Sequence, residues 1–261
     1  MPHDSPTEPR ARLLGTLDHV LRGSFLQSDT LAQGRVEVPV RRLVGLALLL
    51  GAVYGICLGS YSLFRGAEHG WLQVLASAAK VPLLFLLTLL VTFPSLYVFA
   101  ALQRLPLDFG STLRLVLLSI VVHLTVISSL GPVFAFFAAS TNSYPFMLLM
   151  NVAIFTAGGL LGFTVLRRAT RIMFRPANAP PPLPGAESPA PAPARVAAHA
   201  ADQTRRVLGV WCFVYGVVGA QMGWLLRPFL GAPDLPFALF RPREDNVLIG
   251  VLRTIGNLFG H

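Results

Sequence analysis

Five long apolar stretches, at residues 43–64, 81–102, 115–139, 144–166 and 207–226, contain no Asp, Glu, Lys or Arg. That pattern limits the possible folds more than any other feature of the chain. Crossing ~30 Å of hydrocarbon takes about 20 apolar residues in a helix, and each stretch reaches that length. Inside hydrocarbon the backbone must bond to itself, so a single apolar stretch there has to be helical. The whole chain is 54% hydrophobic and 13% charged, more apolar than a water-facing surface tolerates. The expected fold is all-α, a polytopic transmembrane bundle of about five spans with short interfacial helices.

The arginines orient that bundle. Arg10, Arg12, Arg22, Arg35, Arg41 and Arg42 precede the first span; Arg167, Arg168, Arg171, Arg175, Arg195, Arg205 and Arg206 follow the fourth. Four crossings separate the two groups, so both face one side, the cytoplasm by the positive-inside rule. The loops expected outside carry Arg65 and Lys80 in the first and no basic residue at 140–143. The tail after the fifth span, placed outside, carries Arg227, Arg241, Arg243 and Arg253 against Asp234, Glu244 and Asp245. Late charges of this kind weigh less in setting topology.

The resulting organisation is a cytoplasmic segment at 1–42, a four-span unit at 43–166, an Arg-flanked Pro/Ala-rich cytoplasmic linker at 167–206, the fifth span at 207–226 and an extracytoplasmic tail at 227–261. The tract at 176–194, PANAPPPLPGAESPAPAPA, cannot build a packed core and is expected to be a flexible linker. Leu13, Leu17, Val20, Leu21 and Phe25 recur at helical spacing before the first span, and Leu248, Leu252, Ile255 and Phe259 do so in the tail. Both read as interfacial amphipathic helices. No cleavable signal peptide is expected in the first 30 residues, which lack a continuous apolar core.

Of the 21 basic residues only Lys80 is a lysine, a bias that suggests a GC-rich genome and a bacterial inner membrane. The formal charge of +9 is distributed beside spans instead of along one folded face, so no nucleic-acid partner is expected. Cys57 and Cys212 sit in apolar runs without CxxC or Cys/His neighbours, which gives no indication of a disulfide framework, a metal site or another cofactor.

Small residues give the clearest packing signal. Gly51, Gly55 and Gly59 form one face of the first span, and Gly158/Gly162 and Gly219/Gly223 repeat the four-residue spacing in the fourth and fifth. Such faces let helices approach closely, within one chain or between chains. His123 is the ionisable side chain inside a span, with Ser119 one turn earlier; it reads as an interhelical hydrogen-bonding residue, as do Asn151 and Gln221. Pro82, Pro94 and Pro132 interrupt or flank the second and third spans, and Gly131-Pro132 is expected to kink the third. After the fifth span, Trp224, Arg227, Pro228, Phe229, Phe237 and Arg241 read as an extracytoplasmic cap, an aromatic and cationic belt followed by prolines that forbid regular helix.

The four-plus-one order of spans, with a cytoplasmic N-terminal segment and a short outer tail, resembles the Yip-like membrane proteins and the bacterial polytopic proteins grouped near them. The resemblance covers residues 43–226 in architecture. The family's acidic DLxGP-type motif ahead of the first span is missing, so no site residue is carried over. What it implies is a non-enzymatic role in membrane organisation alongside other membrane proteins.

Charge-free spans, glycine faces and two amphipathic arms favour a non-catalytic scaffold or assembly subunit whose partners are the bilayer, other membrane proteins or a second copy. A channel or transporter subunit is the alternative, on the proline- and hydroxyl-bearing second and third spans. An intramembrane enzyme ranks third, because the GxSxG and HExxH signatures are absent.

Overall fold

The computed structural model of the chain describes residues 38–67, 69–102, 109–173, 192–226 and 228–230, with single residues at 15, 18 and 239. Among them are five long helices: α1 (Val40–Phe64), α2 (Gly70–Leu102), α3 (Phe109–Ser140), α4 (Tyr144–Met173) and α5 (Ala192–Leu226). All five contain a segment long and apolar enough to cross a membrane. The protein is an all-α, polytopic membrane bundle. Both expected amphipathic arms, and Arg227, Phe237 and Arg241 of the expected cap, lie outside the described residues.

Alternation of direction follows from short connections. α1 ends at Arg65 and Gly66, where Gly66 takes the left-handed conformation (φ 67°) and the Ala67 N–H bonds back to the Ser62 carbonyl at 3.3 Å. Glycine at that position has no Cβ to oppose the turn. The Gly70 N–H then meets the Ala67 carbonyl at 2.9 Å and α2 begins at once, antiparallel to α1. α1 packs on both α2 and α3, α3 on α4, and α2 on α5, while a lighter α4–α5 contact closes the ring.

Burial is uneven around that ring. Half of the span residues of α2 and of α3 are buried, against 11% of those of α5. α5 attaches through one stripe, Leu208, Trp211, Tyr215 and Met222, with Gly219 facing Thr88 of α2. The Trp211 indole donates to the Thr92 carbonyl at 2.9 Å and the Tyr215 hydroxyl to the Phe85 carbonyl at 3.1 Å. Its outward face is exposed, with Phe213 at 72% and Val210 at 65%.

Three expectations about boundaries change. The second span was placed from residue 81, with Lys80 in a loop, but α2 starts at Gly70 and encloses Lys80. The intervening residues WLQVLASAA contain no helix breaker, and their polar side chains find partners inside the fold, so a polar face does not end the helix. Likewise Arg114 lies within α3, so the freedom from charge holds for the inner apolar stretches and not for the full helices. Helix enters both ends of the stretch expected as linker. α4 continues to Met173, and α5 begins at Ala192, with Pro193 in its first turn where a missing N–H costs no helical bond. The Ala-rich residues that follow are strong helix formers, and Asp202 pairs with Arg206 one turn on at 2.9 Å. α2 and α3 run as continuous helices through Pro82, Pro94 and Pro132.

Candidate functional site

The glycine face of α1 is inside the bundle. A Cβ on Gly51 would lie 2.9 Å from the Pro82 Cβ, one on Gly55 would meet the Ser77 carbonyl oxygen and lie 2.7 Å from the Ala78 Cα, and one on Gly59 would lie 2.5 Å from the Val74 Cα. These are contacts with the backbone of α2 over two full turns, so the two helices touch main chain to main chain. Gly219 and Gly223 face Thr88 and Leu84 of α2 with ordinary spacing.

Gly158 and Gly162 serve a different purpose, making a saddle on α4 for His123 of α3. A Cβ at Gly158 would sit 2.7 Å from the His123 Cδ2, and one at Gly162 would sit 2.8 Å from the Ser119 carbonyl oxygen and 3.3 Å from the His123 Cβ. The imidazole meets Phe85 edge-on, with centroids 4.7 Å apart, and Phe155 at 6.0 Å. Its buried Nε2 has no hydrogen-bond partner among the described residues, so the structure gives ring packing at this nitrogen where an interhelical bond was expected. Ser119 does not act on His123 through its hydroxyl, which donates to the Val116 carbonyl of its own helix at 2.8 Å.

Next to this cluster Tyr54 supplies the interhelical bond that the sequence left unassigned. Its hydroxyl donates to the Asn151 Oδ1 at 3.0 Å, joining α1 to α4, while its ring contacts Phe134 and Phe155. Gln221, by contrast, is exposed on α5.

A second polar group lies on α2, where Gln73, Ser77 and Lys80 recur on one helical face and are all buried. The Gln73 amide donates to the carbonyls of Pro228 at 2.9 Å and Phe229 at 3.0 Å, and the Ser77 hydroxyl to that of Phe229. Lys80 Nζ donates to the Pro228 carbonyl at 3.1 Å and to the Leu239 carbonyl at 2.5 Å. The carbonyls of Pro228, Phe229 and Leu239 lie past the end of α5, and this face supplies donors for them. Pro228 and Phe229 of the expected cap are therefore tied to α2, Leu230 is buried beside them, and Trp224 is half-buried at the end of α5. The three-residue pattern at 73, 77 and 80 was the available signal for this face.

The connection between α3 and α4 is clamped in a comparable manner. Arg65 donates to Asn142 Oδ1, to the Thr141 carbonyl and, at 3.3 Å, to the Ala138 carbonyl, with its guanidinium 5.5 Å from the Tyr61 ring centroid. Among the described residues no three His, Cys, Asp or Glu side chains converge as metal ligands, and Cys57 and Cys212 are free thiols on different helices. No family model, curated protein or solved structure matches the chain.

Proposed function

We propose that the chain is a non-catalytic integral membrane protein, a scaffold or assembly subunit of a membrane complex, with the role in membrane organisation that its architectural resemblance to Yip-like proteins implies. The observation that carries this reading is what the buried polar side chains do. Tyr54, Asn151, Trp211, Tyr215, Gln73 and Ser77 all bond between elements of the fold. A solute pathway would need such groups turned toward an opening, and a catalytic histidine would need a carboxylate or an activated nucleophile beside it. The hydroxyls of Thr88 and Thr92, which motivated the transporter alternative, are bonded to carbonyls of their own helix.

The glycine face of α1 is occupied by α2, and of the exposed apolar faces the one we assign to another membrane protein is the outer face of α5, the least buried of the five spans. Val210, Phe213 and Val217 are exposed there, and a Cβ on Gly209 or Gly216 would meet nothing within 4 Å. A transmembrane helix of the partner can approach closely at those positions. Affinity purification in mild detergent is expected to recover another membrane protein at constant ratio, and Gly216→Leu with Phe213→Ala to lose it while the chain stays monodisperse. Recovery of the chain alone after crosslinking in intact membranes would defeat the scaffold reading.

We further propose a bacterial inner-membrane location with the N-terminus in the cytoplasm, on the distribution of arginines. A reporter active only in the cytoplasm is expected to work when fused after Ala194 and to be silent after His261. Activity at both positions would overturn the orientation.

A further inference from the structure

Exposed hydroxyls on the outside of the spans are satisfied locally. Ser129, Thr156 and Thr164 each donate to a carbonyl of their own helix, at 2.7, 2.8 and 2.7 Å. Gln221 differs from them. Its amide is exposed on α5 and has no hydrogen-bond partner among the described residues.

The packing of α5 on α2 sets the depth of that amide. Gly219 faces Thr88 and Gly223 faces Leu84, so Gln221 is level with the turn of α2 that carries Phe85. Phe85 meets the ring of His123, which lies near the middle of α3 (Phe109–Ser140) and rests against Gly158, near the middle of α4 (Tyr144–Met173). Gln221 therefore stands at mid-depth of the bundle. The membrane interface is about 15 Å away from there, beyond the reach of a glutamine side chain. An amide left unbonded in hydrocarbon is costly. Val210, Val214 and Val217 share its exposed side, and with Gln221 they recur at spacings of four, three and four residues. That spacing forms the seam of a left-handed helix pair.

We propose that a second copy of this chain docks on this seam, α5 against α5 about a two-fold axis along the membrane normal, with the two Gln221 amides bonded to each other. Copies inserted in one orientation place each residue of such a pair at the depth of its counterpart, so residue 221 meets residue 221. An amide carries both donor and acceptor, so the NH2 of each donates to the carbonyl oxygen of the other. A different protein would have to bring its own polar side chain to this depth, whereas a second copy carries it by identity. The seam is also separate from the flank of Gly209 and Gly216 assigned above to another membrane protein. Val214 and Gly216 point about 160° apart around the helix, with Val210 and Val217 between them, so one partner can be lost without the other.

The test is energy transfer between donor- and acceptor-labelled copies of the full-length protein, reconstituted together in lipid vesicles and followed as lipid is added. Transfer is expected to persist at dilutions where randomly placed proteins give none. Gln221→Leu is expected to lower the association constant about tenfold through loss of the reciprocal amide bonds, and Gln221→Asn to retain most of it because an amide remains. Transfer no greater than random placement overturns the proposal, as does transfer undiminished in Gln221→Leu. Loss of another membrane protein from Gln221→Leu with self-association intact would give the amide to that partner and equally overturn it. Should Gln221→Leu fail to fold, disulfide crosslinking in membranes decides, with Val214→Cys and Gly216→Cys each placed on a Cys57→Ala, Cys212→Ala background. A crosslinked dimer is expected from Val214→Cys and not from Gly216→Cys, and any other pattern overturns the proposal.

Discussion

Gly55→Leu is expected to disrupt the α1–α2 pair while leaving membrane insertion intact. The obstruction is main chain: the Ser77 carbonyl and the Ala78 Cα occupy the volume that a Cβ at residue 55 would need. A side chain can rotate away from an intruding atom, whereas backbone in the middle of α2 can move only if the helix moves. Overpacking in a core costs about 1–3 kcal/mol, and here the upper end or beyond is expected because no rotamer relieves the contact. Leucine is at least as favourable as glycine in hydrocarbon, so partitioning itself does not suffer. Thermal unfolding in detergent provides the measurement, with Gly216→Leu as the matched control because its Cβ enters open space. Equal melting of the two variants would show that α1 and α2 are not in main-chain contact.

The second large effect is expected from Lys80→Met combined with Gln73→Leu. Together these changes keep the apolar stems and remove the donors to the Pro228 and Leu239 carbonyls. A buried acceptor left unsatisfied costs about 1–3 kcal/mol. The buried Pro228 carbonyl loses both of its side-chain donors, and a cost of ~2 kcal/mol corresponds to about a 30-fold rise in the population with the segment after α5 released. Cleavage by a protease added to the detergent-solubilised protein follows that population when opening is fast, so the rate should rise by a similar factor. Leu230, only 2% exposed in the closed arrangement, becomes accessible on release. A cleavage rate unchanged from the unmodified protein would mean that these bonds do not hold the segment.

The helical class and the five spans were legible because the bilayer leaves little choice: a run of 20 apolar residues without a charge has one inexpensive conformation there. The start of α2 was not, because Gln73, Ser77 and Lys80 resemble a loop until the carbonyls of Pro228, Phe229 and Leu239 are known to face them. Those acceptors lie about 150 residues away in sequence, and no local pattern announces them. The glycines were similarly half-readable. Spacing revealed a close-contact face at Gly51, Gly55 and Gly59, but whether it met another chain or α2 depended on the third dimension. His123 shows the same limit from the other side: its type suggested hydrogen bonding, whereas the saddle at Gly158 and Gly162 receives it as a ring between Phe85 and Phe155.

The bonds between α2 and the segment after α5 also order events during synthesis. α2 leaves the ribosome about 150 residues before the carbonyls at 228, 229 and 239 that receive its Gln73, Ser77 and Lys80 protons. Until they arrive, a lysine and an amide within an apolar helix must keep water or lipid headgroups as provisional partners, which holds the early end of α2 near the membrane surface. Seating that end at its final depth therefore waits until residue 239 has been made, and a nascent chain that stops short of residue 228 carries its polar face uncovered.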